Sequence, residues 1–476
     1  MARTLNSLVF FLVVLSLGSG SAIAQDLTAH DYAKLLGQGL NLGNTLEAPN
    51  EGDWGFVLES SHFETIARGG FDFVRVPIKY SGHAASNAPY TIDESFMERI
   101  DWVIEQSRSR DLSVIVDLHH YDELAVNPTQ HHQDRLTGLW QQIATRYQDQ
   151  PKSVFFEILN EPNSALTSSI WNSMLVETLD VIRETNPDRQ VIIGPANWNN
   201  LNSLNSLELP EDDRNIIATY HYYSPFEFTH QGAEWVNGSD AWLGTTWNGT
   251  PAEENAIRRD FDRVEAWAAA EDRPILLGEY GAYEPADITS RRLWTQFVTQ
   301  AAEERDFSWS YWEFAAGFGA YNRFTQQWNA PIYGALSPER TGDFDGDTYL
   351  AEFDVDALVS VIVGGSHAAV FDINGDDLVD DKDLALWLIK ANSLVGDANL
   401  DGVVGGSDFN AWNANKFTSG AGWSGGDFNA DGVTDGSDFN LWNQSKFTSI
   451  VPVPEPSSLI LALGLTVGLF AVRRRR

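Results

Sequence analysis

The sequence predicts an α/β protein: a closed (β/α)8 TIM barrel followed by a small α-helical, EF-hand-like repeat region. Three observations predict it. Short apolar runs recur eight times over about 310 residues, helical patterns separate most of them, and near Ser337 the composition turns to Asp, Gly and Asn in a repeated spacing. A doubly wound sheet is disfavoured because no Gly-x-Gly-x-x-Gly turn follows the first run.

Taken in order, the chain opens with Arg3, an apolar stretch from Leu8 to Leu17 and the small-x-small site Ala22-Ile23-Ala24, which together read as a secretory signal peptide over 1–24. Strand-like runs follow at 39–44, 71–78, 113–120, 154–161, 190–198, 216–223, 274–281 and 307–314. Apolar residues at three- and four-residue spacing predict helices over 94–110, 168–184, 252–270 and 290–305. The barrel is assigned to 25–337. Reactive groups of such barrels sit at the C-terminal ends of the strands. Polar residues fall there: Asn44 and Glu47 after the first run, Arg75 on the second, His119 and His120 after the third, and Asn160 and Glu161 after the fourth. His221 and Tyr223 mark the sixth, Glu279 the seventh and Trp312 the eighth.

Two of these residues carry a specific chemistry. Leu159-Asn160-Glu161-Pro162 and Gly278-Glu279-Tyr280-Gly281 each close an apolar run, and folding a barrel brings their glutamates, 118 positions apart, to one mouth. Glycosidic bonds break through an oxocarbenium-like transition state that needs one carboxyl to protonate the leaving oxygen and a second, ionised, at the anomeric carbon. Sugar clefts also need flat aromatics, and the chain has 17 tryptophans. The net charge of −36 excludes nucleic acid and anionic membrane surfaces as partners, while the absence of cysteine excludes disulfides and thiolate chemistry. The paired histidines lack a third ligand spaced for zinc.

The region 338–448 carries four loops with side-chain oxygens at positions 1, 3, 5 and 12. They are Asp343, Asp345, Asp347 and Asp354; Asp372, Asn374, Asp376 and Asp383; Asp397, Asn399, Asp401 and Asp408; and Asp427, Asn429, Asp431 and Asp438. Such a loop wraps a calcium ion when glycine occupies position 6. The third and fourth loops have it, as Gly402 and Gly432, whereas the first two have Thr348 and Asp377 and are read as weaker sites. Calcium is therefore expected as a structural ion in the repeats, with no cofactor for catalysis. The tail, 449–476, has a proline-rich stretch, an apolar run from Leu459 to Val472 and four arginines. It is short for a membrane span and is read as a transient membrane contact that is then cut.

Beyond the two glutamates, Gly39-Leu-Asn-Leu-Gly-Asn44-Thr-Leu-Glu47-Ala-Pro-Asn-Glu-Gly-Asp-Trp54, Asp117-Leu-His119-His120-Tyr-Asp-Glu-Leu, His221-Tyr-Tyr223 through His230 to Trp235, and Tyr311-Trp312-Glu-Phe resemble family 5 of the glycoside hydrolases, over roughly residues 30 to 335. The likeness is to the branch of thermostable endoglucanases that also act on mannan. It implies a secreted, endo-acting β-1,4-glucanase working with retention, or a mannanase; a non-catalytic polysaccharide-binding surface protein is the alternative of another class. It further implies Glu161 as acid/base, Glu279 as nucleophile, Asn160 on the sugar 2-hydroxyl, and Arg75 and Tyr223 holding Glu279 ionised. His119, His120, His221, His230, Trp235 and Trp312 would line the subsites. The repeats resemble dockerin-type calcium repeats, implying a cohesin-like protein partner. The tail resembles the Pro-Glu-Pro sorting signal of Gram-negative-type bacteria, implying an extracellular or cell-surface protein.

Overall fold

The computed structural model describes residues 27–336, 341–345, 350–376 and 378–450. The leader, the tail from residue 451, and Asp347, Thr348 and Asp377 of the first two loops lie outside them. Eight parallel strands close in chain order: β1 (Gln38–Asn41), β2 (Phe73–Ile78), β3 (Ser113–Leu118), β4 (Val154–Glu157), β5 (Val191–Ile193), β6 (Ile216–Tyr222), β7 (Ile275–Tyr280) and β8 (Ser308–Tyr311). β8 pairs back onto β1 through Gly39 and Ser310.

Neighbouring side chains on a strand point to opposite faces. On β2, β3 and β4 an inward apolar residue is therefore followed two positions later by an inward charged one: Phe73 then Arg75, Ile115 then Asp117, Phe155 then Glu157. The register sets Ile115 beside Phe155 and Asp117 beside Glu157. The result is an apolar lower layer, completed by Ile192, Ile217 and Leu276, with a charged layer above it. Outside the strands the helices lay their apolar stripes on the sheet. Helix Gln130–Arg146 buries Leu136, Leu139, Trp140 and Ile143, and the Trp140 indole donates to the Ile158 carbonyl at 2.9 Å. Helix Pro251–Glu271 starts where sequence chemistry dictates, with proline in its first turn and a reciprocal cap between Thr250 and Glu253.

Several runs are shorter than the sequence suggests. The fourth ends at Glu157, so Glu161 stands in the loop beyond it; the fifth keeps only Val191–Ile193 and then turns through Asn197, Trp198 and Asn199, all with positive φ. Periodicity reports apolar burial, and the burial continues into these loops after the strand hydrogen bonds have stopped.

The repeat region forms helices Glu352–Gly364, Asp381–Lys390, Gly406–Asn415 and Gly436–Ser445. It sits under the N-terminal ends of the strands, where helix Ala29–Leu36 also packs. Leu350, Val355, Leu358, Leu384, Trp387, Trp423 and Phe428 share one buried cluster with Phe73, Ile115 and Phe155. Lys390 reaches Asp72 at 2.6 Å with both side chains fully buried, and Asp72 also accepts the N–H groups of Gln38 and Thr341 at 3.0 Å. The change of composition near residue 337 locates the repeats but does not reveal this shared core. The last two repeats clasp each other: Trp412 donates to the Asp435 carbonyl at 2.7 Å and Trp442 to that of Gly405 at 2.9 Å. Among the described residues no helix is long and apolar enough to cross a membrane.

Candidate active site

A cleft of about 1290 Å³ opens over the C-terminal ends of the strands. Asn44, Glu47, His119, His120, Asn160, Glu161, His221, Tyr223, His230, Trp235, Glu279 and Trp312 all line it. Arg75 does not; it lies behind the wall, fully buried.

Arg75 organises the floor. Its Nε donates to Glu157 Oε2 at 2.7 Å, one terminal nitrogen reaches Glu279 Oε1 at 2.7 Å and Asn41 Oδ1 at 2.8 Å, and the other reaches Asn160 Oδ1 at 2.6 Å and Asp117 Oδ2 at 3.1 Å. One guanidinium thus serves three buried carboxylates. Burial opposes its charge, but Asp117 and Glu157, with Glu279, hold its proton more firmly than usual. Burial also pushes Asp117 up to about 7, with Arg75 pulling the other way.

The two glutamates differ in what holds them. Glu279 has Arg75 on one oxygen and the Tyr223 hydroxyl, at 3.0 Å, on the other. Burial raises its carboxyl, and His221, Arg75 and the Tyr223 hydroxyl all oppose that. Glu161, with its side chain 24% exposed against 6% for Glu279, makes no contact with the guanidinium. Its carboxyl is pushed up to about 7 by burial, with only the Coulombic pull of Arg75 against it. The forces that favour the charged form converge on Glu279 and leave Glu161 able to keep a proton near neutrality.

His221 stands between them, its Nδ1 2.7 Å from Glu161 Oε1 and 3.5 Å from Glu279 Oε2. Its Nε2 faces the Asn199 amide nitrogen, a donor, at 3.3 Å, so Nε2 accepts and Nδ1 carries the hydrogen. Burial holds the ring neutral by lowering it to about 4. His119 repeats the arrangement, with Nδ1 on Asp117 at 2.6 Å and Nε2 on the Asn160 amide nitrogen at 3.3 Å, and its ring stacks on Trp312 at 5.5 Å. Both ring nitrogens of His119 are thus engaged within the protein.

One oxygen of Glu161, one of Glu279 and a nitrogen of His221 lie within 4.8 Å of one another. By distance alone the trio would suit a cation, yet the Arg75 guanidinium already rests on Glu279. Two carboxyls this close match the roughly 5–5.5 Å of retaining glycoside hydrolysis rather than the roughly 6.5–9.5 Å that leaves room for a water.

Glu47 lies at the opposite end from these groups in its bonding: its carboxylate accepts the N–H groups of Asn44 and Thr45, and burial pushes it up to about 7. Trp235 is 60% exposed on the rim. Sequence reasoning missed Asp117, Glu157, Asn41 and Asn199 beneath the cleft and Trp54, Trp198, Phe226, Tyr283, Glu313 and Phe318 in its wall. Asp117 and Glu157 had a signal, as charges inside otherwise apolar strands. Trp54 and Phe226 lay inside the family-like stretches without being given a role, whereas Tyr283 and Phe318 had no such mark, since loops of different strands bring them together.

In the repeats, the Asp397 carboxylate accepts the N–H groups of Asp401 and Gly402, and Asp408 those of Ala398 and Gly405; Asp427 and Asp438 repeat the pattern. Gly402 and Gly432 have φ of 76° and 88°, where a side chain would be strained. Three carboxylate oxygens, from Asp343, Asp345 and Asp354, gather within 4.8 Å in the first loop, which the sequence had ranked below the last two. The ranking rested on glycine at position 6. The first loop has aspartate at position 3 where the others have asparagine.

A model of the cellulase family, glycosyl hydrolase family 5, matches residues 39–317, and one of the PEP-CTERM protein-sorting motif matches 452–476. Endoglucanase Cel5A from the hyperthermophile Thermotoga maritima superimposes with a TM-score of 0.64 at 46% identity, covering 65% of this chain and all of that one. The cellulose synthase subunit Z of Clostridioides difficile gives 0.61 at 39%, covering 63% and 99%. Endoglucanase H of Acetivibrio thermocellus is 36% identical over 313 residues; the match takes in 64% of this chain and spans a third of that relative's length.

Proposed function

Because the chain belongs to the cellulase family, glycosyl hydrolase family 5, we propose that it is an endo-β-1,4-glucanase acting with retention at Glu161 and Glu279. The observation that carries this is the pair of carboxyls within 4.8 Å whose partners divide the charge between them.

Glu279, aligned by Arg75 and Tyr223, attacks the anomeric carbon while Glu161 gives its proton to the departing oxygen. His221 donates to Glu161 Oε1, so Oε2 is left to carry that proton. A glycosyl ester on Glu279 results; Glu161, now ionised, takes a proton from water, which attacks the same carbon on the face opposite the ester, displaces Glu279 as a carboxylate and restores the original anomer. Asn160, fixed by Arg75 and His119, presents its amide to the sugar. The rings of Trp312, Trp235 and Trp54 offer stacking faces along the cleft. Proton NMR of freshly cleaved cello-oligosaccharide tests the mechanism: the β-anomer should appear first, and the α-anomer first would refute retention. No release of reducing ends from any β-1,4-glycan would leave the binding-protein reading.

A mannanase activity is the second reading, favoured by one observation: Thermotoga maritima Cel5A has been crystallised with mannotriose as well as cellobiose. Comparing soluble cellulose with mannan on one preparation ranks the two.

The last two repeats suit calcium: each sets side-chain oxygens, with the carboxylates of positions 1 and 12 buried, on a loop with left-handed glycine at position 6. Asp397, Asn399, Asp401 and Asp408, then Asp427, Asn429, Asp431 and Asp438, would hold one ion each, and Asp343, Asp345 and Asp354 a further one. A dockerin-like role toward a cohesin-like partner rests on the repeat pattern alone. The sorting motif suits an extracellular or cell-surface enzyme in contact with its polymer.

A further inference from the structure

Beside the cleft, and sharing Gly317 with its wall, lies a second hollow of about 410 Å³. It is bounded by the loop after β8, the hairpin Tyr321–Asn322 with Gln327–Trp328, and the first turn of helix Ile288–Glu303. Two arginines line it. Arg291 is 5% exposed; one terminal nitrogen donates to the Phe318 carbonyl at 3.1 Å, while its Nε has no hydrogen-bond partner. Arg323 lies over the rings of Phe56 and Phe324, and its polar contact is a long one, 3.4 Å, to the Ala315 carbonyl.

Among the described residues neither guanidinium is paired with a carboxylate, although the chain has 67 acidic against 31 basic residues. Other buried arginines are committed. Arg75 is held by carboxylates, Arg189 by the carbonyls of Pro151, Val154, Tyr147 and Gln150, and Arg273 by those of Pro210 and Asp213. Leaving a buried donor without an acceptor is costly; Arg291 is such a donor, and Arg323, half-buried, adds a second positive charge to the same hollow, so the pair suits an anion. The remaining wall indicates which kind. Asn322, Gln327 and Asn329 supply amides, Tyr321 and Trp328 supply rings, and the volume falls in the roughly 300–1,000 Å³ range of small-ligand sites. Amides and rings beside a carbohydrate cleft are a sugar's surroundings.

We propose that this hollow binds the carboxylate of an acidic sugar, a uronic acid branching from the polysaccharide whose backbone lies in the neighbouring cleft. The inference rests on the glycan-hydrolase reading of that cleft and names a substrate class for it. A planar guanidinium matches a carboxylate with two parallel hydrogen bonds, which a hydroxymethyl group cannot accept in the same way. Glu284, exposed at the edge of the hollow, is the one carboxylate in its wall and works against an acidic ligand.

The test compares a glucuronate-branched β-linked oligosaccharide with its carboxyl-reduced counterpart and with a sulfate-ester analogue, by titration calorimetry at low ionic strength. The full chain carries Glu279→Gln so that nothing is cleaved. The acidic oligosaccharide should bind about tenfold more tightly than the reduced one. Arg323→Ala should erase that difference and Glu284→Gln enlarge it, while Arg291→Lys, which keeps the charge and loses the fork, should reduce it. Equal affinity for the acidic and reduced forms, or an undiminished difference in Arg323→Ala, overturns the proposal. Tighter binding of the sulfate ester overturns the carboxylate assignment. Turnover of neutral β-glucan by Arg323→Ala on the otherwise unchanged chain should match the parent; its absence in the parent would count against the hydrolase reading, which the binding difference does not test.

Discussion

Buried charge appears at both ends of the barrel, and it is handled in opposite ways. Below the strands one lysine meets one aspartate, Lys390 and Asp72, with backbone N–H groups filling the remaining oxygen positions. Above them one arginine faces Asp117, Glu157 and Glu279, with Glu161 close by. The lower site is balanced and holds two parts of the chain together. The upper site has more carboxyls than cations, so protons must make up the difference. That surplus is the resource acid–base chemistry draws on, and it is held in place only because the strands around it are fully packed.

The largest effect separating the two ends should come from the glutamates. Glu279→Gln and Glu161→Gln should each reduce turnover of soluble β-1,4-glucan by roughly a thousandfold or more in a chain that stays folded. Near-parental rates in either would break the assignment.

Next in size is the response to removing a cation. Lys390→Met strands a buried aspartate and should cost about 3–5 kcal/mol, but Lys390→Met with Asp72→Leu should recover most of it, since a buried pair can be replaced by apolar groups of similar volume. Arg75→Met should cost at least as much and no single partner change should restore activity. Denaturant melts of the four proteins decide this, and recovery of Arg75→Met by one second substitution would erase the contrast.

A smaller effect is set by protons. Burial holds Glu161 at about 7 and Glu313 at about 8, above the ordinary carboxyl range. Between that range and those values the folded chain binds more protons than the unfolded one, so unfolding free energy falls as pH rises through the window. Glu161→Gln and Glu313→Gln should therefore raise the melting temperature by roughly 2–5 °C at pH 8 and by less at pH 5. The rate on β-glucan should decline above about pH 7 as Glu161 loses its proton. A melting difference independent of pH would remove the proton surplus from the argument.

The smallest effect on activity should come from calcium. Chelation should lower the melting temperature of the whole chain, because the repeats share a core with the barrel floor, and leave the rate at 25 °C unchanged. A melt in which only a separate low-temperature transition moves would show the two parts to be independent.

The barrel was legible because eight apolar runs alternate with amphipathic stretches, and the chemistry was legible because strand ends are where such folds expose polar groups. Asp117 stood in a family-like stretch and Glu157 in an apolar run, yet neither was given a role. A charge in an apolar run gains meaning only when Arg75, some 40 and 80 positions away, is known to face it. Asn199 and Trp198 escaped because the fifth run continues past its strand, and a period-two pattern carries no mark of where hydrogen bonding ends. The docking of the repeats was illegible for a related reason. Lys390 stands in the repeat region and Asp72 inside the second strand-like run; only the fold makes them partners.

The closing residues of the described chain run beneath the barrel, where the Ile450 carbonyl accepts a hydrogen bond from Arg108 at 3.1 Å. Arg108 ends a helix whose C-terminus lies at the foot of the strands. The described chain therefore ends on the side opposite the cleft, and its last residues leave the mouth clear for a polymer longer than the barrel is wide.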